Sequence, residues 1–156
     1  MLFRSNGLII NEKYGSFVFV GDLVTDLDPE IFMTDSPKEI VRCEGCGACL
    51  RACPTGVLRG EGADCLSAIT QRKGELTDEE IALMRKYNTA WGCDICQTAC
   101  PHNSRPTITP VEFFFRERID NLTLNLLENM SNEEFERRSY AWRKRATIRR
   151  NLEILE

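Results

Sequence analysis

Seven of the eight cysteines in this chain fall into two runs whose spacing suits iron–sulfur chemistry. The runs are Cys43-x2-Cys46-x2-Cys49-x3-Cys53-Pro54 and Cys93-x2-Cys96-x3-Cys100-Pro101. Each iron of a [4Fe–4S] cube needs one outside ligand, which is usually a cysteine thiolate. A cysteine at every third position lets one tight loop reach several corners of the same cube. The spacing therefore predicts [4Fe–4S] clusters.

The number of thiols agrees with two cubes. In two-cluster ferredoxins the last cysteine of such a run binds the other cluster. Cys100 then completes cluster one, Cys53 belongs to cluster two, and Cys65 is the one thiol left for the last corner. The predicted ligands are Cys43, Cys46, Cys49 and Cys100 for cluster one, and Cys53, Cys65, Cys93 and Cys96 for cluster two.

Zinc and disulfides are the alternative uses of these cysteines. Zinc sites usually take two well-separated C-x2-C pairs per ion, which would leave the middle thiol of the first run without a role. Disulfides suit small secreted chains, and residues 1–6 lack the apolar stretch of a signal peptide. We therefore expect a reducing compartment, the cytoplasm. No run approaches the roughly 20 apolar residues of a membrane span.

The net charge of −4 conceals an uneven distribution. Residues 137–150 contain seven Lys or Arg and no acid, which leaves 13 basic and 24 acidic residues, a net charge of −11, in the rest of the chain. A basic segment on an acidic body suggests contact with a polyanion such as RNA. A solvated helix face is the alternative explanation for the same charges.

The order of elements predicts an α+β fold. Short strands are expected at 8–10 and 17–20, joined by a loop that contains Gly15, and a polar connector follows at 27–42. The core is expected to be a ferredoxin-like domain with two [4Fe–4S] clusters, followed by a helical extension. The predicted divisions are 1–28, 29–108 and 109–156.

Three helices have recognisable starts. Thr77 and Glu80 form a capping box for a helix that ends near Tyr87. Thr109 and Pro110 begin a helix over 110–118, whose residues Phe113–Phe115 are expected in the core. Ser131 and Glu134 begin a last helix, which is expected to include the basic segment.

Several longer motifs resemble one family, the epoxyqueuosine reductases. They are Cys43–Thr55, Cys65-Leu66-Ser67, Trp91-Gly92-Cys93-Asp94-x-Cys96-Gln97-x-x-Cys100-Pro101-x-Asn103, Gly15-Ser16-Phe17 and Gly21–Leu27. The resemblance covers residues 7–103 well and the tail more loosely. The Cys-Asp-x-Cys-Gln-x-x-Cys-Pro motif with a separate upstream Cys-Leu-Ser is far more specific than a ferredoxin run alone.

The resemblance implies reduction of the epoxide of epoxyqueuosine in tRNA to queuosine, with cobalamin and two [4Fe–4S] clusters as cofactors. Electrons would pass from a donor such as a flavodoxin or ferredoxin through the clusters to cobalamin. Carried over by position, Ser67, Cys93 and Asp94 lie against cobalamin, and Phe17 lines the same pocket. From the residue type alone, Asp94 could equally cap a turn. The basic segment 137–150 is the predicted contact region for tRNA. Arg72 is a weaker candidate for contact with tRNA.

The chain also departs from the family. Family members have well over a hundred residues before the position of Gly15, so we expect a fragment or half-protein that needs an N-terminal cobalamin-binding half and is inactive alone. His102 stands where the family commonly has Trp, and it serves either packing or hydrogen bonding near cluster one. The alternative functions are a stand-alone ferredoxin-type electron carrier and another cobalamin-dependent reductase, such as a reductive dehalogenase.

Overall fold

The computed structural model describes residues 7–11, 13–31, 43–62 and 64–156, and the regular structure in these ranges is helical. The α-helices are α1 (Ala48–Ala52), α2 (Leu66–Gln71), α3 (Asp78–Tyr87), α4 (Ile95–Thr98), α5 (Leu124–Asn129), α6 (Asn132–Glu136) and α7 (Arg145–Leu155). Short 3₁₀ turns cover Pro29–Ile31, Val57–Arg59, Pro101–Asn103, Glu112–Phe115 and Ala141–Arg143. None of the helices in these ranges is long and apolar enough to cross a membrane.

The predicted α+β class is wrong for the described residues, because the segments 8–10 and 17–20 do not form strands. The loop between them does close, since Asn11 and Gly15 exchange two backbone hydrogen bonds of 2.7 and 2.9 Å. Beyond this loop Phe19 is 98% exposed and Val24 is 96% exposed. Apolar side chains alone do not make a strand when no neighbouring segment pairs with its backbone. The polar connector predicted at 27–42 lies mostly outside the described residues.

The helix predicted from Thr77 to Tyr87 is confirmed as α3. The Thr77 hydroxyl accepts a hydrogen bond from the Glu80 backbone N–H, and the Glu80 carboxylate accepts one from the Thr77 N–H. Asn88 ends the helix in the left-handed conformation, with φ of 46°. This reciprocal cap satisfies two of the amide groups that a helix start leaves unpaired. Met84, on the inner face of α3, is fully buried.

The last predicted helix is present only in parts. Ser131 and Glu134 form the expected capping box, but α6 ends at Glu136. The basic segment continues through a 3₁₀ turn, and Lys144, with φ of 74°, precedes α7. A single helix from Ser131 through the basic segment is therefore wrong, because the chain turns here and packs α7 against α5.

The helix predicted at 110–118 is also wrong, since only Glu112–Phe115 forms a 3₁₀ turn. The expected burial of its aromatic residues fails as well. Phe113, Phe114 and Phe115 are 71%, 55% and 48% exposed. Three consecutive phenylalanines cannot all place their rings on one side of so short a turn. None of the residues 104–118 is buried, so this segment is not part of a core.

Helix α7 joins two apolar clusters. The first contains Leu127, Met130, Phe135, Ile148 and Leu152, and the second contains Leu66, Ile69 and Met84. Ile148 and Leu152 face the first cluster, whereas Ile154 and Leu155 pack against the second. Helix α2, which begins just after Cys65, and helix α3 are therefore packed against the C-terminal helix.

Candidate metal centre

The two cysteine runs repeat one backbone turn. In the first run Gly45 and Gly47 have φ of 68° and 69°, on either side of Cys46. In the second run Gly92 and Asp94 have φ of 69° and 42°, on either side of Cys93. Alternation of left-handed and ordinary residues turns successive amide N–H groups toward one point, and such concave nests bind anions, including iron–sulfur clusters. Both turns are therefore suited to a negatively charged inorganic core.

A short helix follows each turn and carries the next cysteine. Cys49 lies on α1 and Cys96 on α4, and these two helices pack against each other. Each run then ends at an extended cysteine before proline, with ψ of 118° at Cys53 and 131° at Cys100. The packing of α1 on α4 brings the two runs side by side, as crosswise sharing of ligands requires.

Two of the thiols predicted for cluster two, those of Cys53 and Cys65, lie within electrostatic range of a third, Cys93. Burial raises the pKa of the Cys93 thiol, and the nearby thiols of Cys65 and Cys53 raise it further by charge repulsion. The backbone N–H of Ile95 opposes this effect. Iron cations bound between neighbouring thiolates would offset the repulsion between their negative charges. The fold thus brings Cys65 beside the second run although 28 residues separate it from Cys93.

Cys53 lies among hydrogen-bond donors. Burial raises the pKa of its thiol, but hydrogen bonds from the backbone of Leu58 and from the side chain and backbone of Thr55 outweigh burial, so the net pKa is lowered. The Thr55 hydroxyl lies 3.7 Å from the Cys53 sulfur. Hydrogen bonds to a thiolate stabilise its charged form, and such bonds tune the potential of a cluster.

Alignment of the two runs explains the separate cysteine. Cys46, Cys49 and Cys53 correspond to Cys93, Cys96 and Cys100, so Ala90 occupies the place of Cys43. The second run therefore lacks its first thiol. Cys65 at the start of α2 is the thiol that the fold brings to that side.

The described residues contain neither a tight single-ion site nor a disulfide. Among the described residues, no three His, Cys, Asp or Glu side chains are grouped tightly enough to hold one metal ion. None of the eight cysteines, all of which are described, forms a disulfide. A zinc ion draws its thiolates to within about 2.3 Å of one point, whereas a cube keeps them apart because each bonds a different corner. The donor set fits two cubes.

His102 connects the two loops that carry ligands predicted for cluster one. Its Nε2 atom lies 4.0 Å from the carboxylate of Glu44, and its side chain is 29% exposed. Glu44 follows Cys43, and His102 follows Cys100 by two residues. The structure therefore places His102 beside the proposed cluster one, where packing and hydrogen bonding are both open to it.

A polar network ties the N-terminal loop to the second run. The backbone N–H of Ser16 donates to Asn103 Oδ1 at 2.8 Å, and Asn103 Nδ2 donates back to Ser16 Oγ at 2.7 Å. Ser16 Oγ donates to Gln97 Oε1 at 2.9 Å, and Gln97 Nε2 donates to the Asp94 carboxylate. Gly15 is needed beside this network because a Cβ atom there would lie 2.1 Å from Asn103 Oδ1.

Of the four predicted cobalamin contacts, Cys93 and Asp94 belong to the second run, whereas Ser67 and Phe17 come from other segments. Asp94 begins α4, but its carboxylate does not cap the helix and stays exposed. Cys93 and Asp94 line an open cavity of about 660 Å³, whereas Ser67 and Phe17 do not. Ser67 Oγ accepts a hydrogen bond from Gln71, and Phe17 is 47% exposed next to Ser16. All four side chains are at least partly accessible.

Sequence reasoning missed Asn151, which is fully buried. Its Nδ2 atom donates to the carbonyl groups of Thr70 and Ala90, and its Oδ1 atom accepts from Arg150. The Gly92 N–H in turn donates to the Thr70 hydroxyl at 3.2 Å. An asparagine in a basic helix carries no signal of such a role, because its partners are distant in sequence. Arg72, the candidate for tRNA contact, is paired with Asp64 and Glu80.

Comparison with known proteins gives a consistent family relationship. Residues 42–103 match the model of the 4Fe-4S double cluster binding domain. An epoxyqueuosine reductase of Listeria monocytogenes is 34% identical over 164 residues, which cover 96% of this chain and 40% of that protein. The chain spans about two fifths of the length of the curated relatives it matches.

Solved structures agree with the sequence relatives. Epoxyqueuosine reductase from Streptococcus thermophilus superposes with a TM-score of 0.68 at 30% identity, covering 99% of this chain and 41% of that one. The crystal structure of an epoxyqueuosine reductase with an epoxyqueuosine-modified tRNA-Tyr stem loop gives a TM-score of 0.70 at 31% identity, with coverage of 97% and 41%. The predicted family relationship is confirmed.

Proposed function

The chain belongs to the epoxyqueuosine reductase family, and we propose that it is the iron–sulfur electron-transfer part of such a reductase. It carries a double [4Fe–4S] cluster-binding domain at 42–103. The placement of Cys65 and Cys53 within electrostatic range of Cys93 carries the proposal, because a bare ferredoxin run has no use for the separate thiol.

The proposed ligand sets are Cys43, Cys46, Cys49 and Cys100 for cluster one, and Cys53, Cys65, Cys93 and Cys96 for cluster two. The nests around Cys46 and Cys93 direct amide N–H groups at the cores and stabilise their negative charge. The hydrogen bonds to Cys53 favour the reduced cluster two, because they offset the added electron. Packing of α1 on α4 would hold the two cluster sites next to each other, as electron exchange between them requires.

Ser67, Cys93, Asp94 and Phe17 are the proposed contacts with cobalamin, which would be shared with an N-terminal half. When bound, cobalamin supplies the metal-centred reduction of the epoxide. The chain's own contribution is to orient Asp94 through Gln97 and to hold Phe17 beside the second run through Ser16. The partial exposure of all four side chains supports this proposal.

The proposed partners are a flavodoxin or ferredoxin as electron donor, and epoxyqueuosine-containing tRNA as substrate. A family member has been solved with a modified tRNA stem loop, which supports the second partner. The basic segment 137–150 is the proposed contact region. The divisions at residues 28 and 108 stay predictions, although α7 of the extension packs against α3 of the cluster region.

The ligand assignment is tested by Cys65→Ser. Anaerobically purified chain should contain about eight irons, and the variant about four, because only cluster two loses a ligand. Electron paramagnetic resonance of the reduced variant should retain one cluster signal. Ser67→Ala is the matched control and should keep both clusters. An unchanged iron content in Cys65→Ser would contradict the proposal.

The function itself is tested by complementation. The cluster-loaded chain, an N-terminal half of a relative, cobalamin and a reductant should together convert epoxyqueuosine in a tRNA stem loop to queuosine. Each half alone should give no product. A stand-alone electron carrier would instead reduce unrelated acceptors and give no product in the mixture, and that result would overturn the proposal.

A further inference from the structure

Part of the basic segment 137–150 is used by the fold. Arg145 donates hydrogen bonds to the carbonyl groups of Leu127 and Ser131 and lies over the ring of Phe135 at 4.6 Å. Arg150 donates to the Gly74 carbonyl group and to Asn151. These two guanidinium groups hold α7 against its neighbours, so they are not available to a ligand.

Arg149 is held only by exposed ion pairs, but it has two of them, with Glu128 and Glu153, so its positive charge is offset by two carboxylates. By contrast, Arg137 and Arg138 turn toward a different segment of the chain. They line an open cavity of about 810 Å³ together with Phe113, Phe114, Arg116 and Arg118. We call these six residues the arginine–phenylalanine cavity.

Four arginines and one acidic residue, Glu117, line this cavity, which gives its lining a net positive charge. Arg138 donates a hydrogen bond of 2.6 Å to the Glu117 carbonyl group, which fixes it against the opposite wall. Arg116 has no ion pair or side-chain hydrogen bond with the described residues. Arg118 and Arg137 form exposed ion pairs with Asp120 and Glu133, and exposed pairs of this kind contribute little and exchange easily. The positive charge is therefore available to an anion.

Two residues that line the cavity each contain a buried polar atom without a hydrogen-bond partner among the described residues. The Nε atom of Arg138 and the hydroxyl of Tyr140 have no hydrogen-bond partner within the described part of the chain. A buried donor without a partner costs free energy, and a rearrangement of these side chains around a bound anion would remove that cost. Tyr140 lies on the same cavity wall as Arg138.

The aromatic wall consists of Phe113 and Phe114. The two rings meet edge to face with centroids 5.9 Å apart, and both are more than half exposed. Single-stranded nucleic acids bind where bases stack on exposed aromatic rings and arginines follow the phosphates. Double-stranded RNA offers no free base faces to such rings.

We propose that the arginine–phenylalanine cavity binds single-stranded RNA, with a base stacked on the phenylalanine pair and the phosphates on the four arginines. The inference rests on the proposed function for the choice of RNA as partner. It narrows the contact region from the whole segment 137–150 to Arg137 and Arg138. It also adds the segment 113–118, which the sequence analysis assigned to a buried helix and not to contact with RNA.

The test measures binding of a labelled RNA hairpin to the full, cluster-loaded chain at several salt concentrations. Phe113→Ala combined with Phe114→Ala should weaken binding about tenfold with little change in the salt slope, because stacking is lost. Arg116→Gln combined with Arg118→Gln should reduce the slope by about 0.7 for each phosphate contact removed. Phe19→Ala and Arg149→Gln are matched controls and should bind like the unmodified chain.

Four results would overturn the inference. They are absence of binding at low salt, equal affinity for a fully paired duplex, equally effective competition by an acidic peptide, and unchanged affinity in both double variants. Iron content and complementation are measured on the same preparations. Absence of both clusters from the unmodified chain would contradict the proposed function. Full cluster loading together with unchanged RNA binding in the variants would contradict only the assignment of the RNA site to the arginine–phenylalanine cavity.

Discussion

Asn151 on α7 donates a hydrogen bond of 2.6 Å to the backbone carbonyl of Thr70 on α2, across 81 residues of sequence. The same amide group reaches the carbonyl of Ala90 at 2.8 Å, just before the second cysteine run. Asn151 therefore links the segment that follows Cys65 to the segment that precedes Cys93. The C-terminal helix takes part in shaping the proposed cluster two.

Asn151→Ala should destabilise the chain and impair cluster two more than cluster one. The change leaves buried carbonyl groups without donors, at about 1–3 kcal/mol for each group. Iron content should fall, and the reduced protein should keep a single dominant cluster signal in electron paramagnetic resonance. Asn129→Ala, at an exposed position of α5, should change neither measurement. Equal loss of both clusters would show a merely structural role.

Gly15→Ala should detach the N-terminal loop from the second run. A Cβ atom would lie 2.1 Å from Asn103 Oδ1, and the φ of 64° is unfavourable for alanine. We expect a loss of about 1–3 kcal/mol in the free energy of unfolding by denaturant. Gly21→Ala is the matched control, because a Cβ atom there has no neighbour within 4 Å. Similar stability of the two variants would refute this role for Gly15.

Removal of the clusters should unfold the cysteine runs first. Helices α1 and α4 have five and four residues, which is too short for stability without tertiary support. Metal binding then contributes directly to their folding. Hydrogen exchange of the iron-free chain should become fast in residues 43–59 and 92–103 but stay slow in α7, where Ile148 is fully buried. Uniform protection with and without iron would contradict the expectation.

The capping box of α6 gives a pH dependence of defined sign. Hydrogen bonds from the Ser131 backbone and hydroxyl lower the pKa of Glu134 in the folded chain. A lowered folded pKa means that the carboxylate contributes stability above its unfolded pKa, which is near 4.5. This contribution disappears as pH falls through the folded pKa. Denaturation curves from pH 7 to 3 should show a smaller decline in Glu134→Gln than in the unmodified chain, and parallel declines would exclude the effect.

The cysteine chemistry and the capped helices could be predicted because their signals are local. The capping boxes at Thr77 and Ser131 lie within four residues, and the cluster runs carry their own spacing. The strands at 8–10 and 17–20 were wrong because pairing depends on a second segment that the pattern does not reveal. The hydrogen bonds of Asn151 could not be predicted for the same reason, since its partners Ala90 and Thr70 lie 61 and 81 residues away.

The sharing of cluster ligands between the two cysteine runs also implies an order of events during synthesis. On the proposed ligand sets, one cube spans residues 43–100 and the other 53–96, so neither can close on a growing chain until nearly the whole region has left the ribosome. Asn151 emerges later still. Insertion of iron and sulfide is therefore a late step, and machinery that delivers them would meet a chain whose thiols are complete.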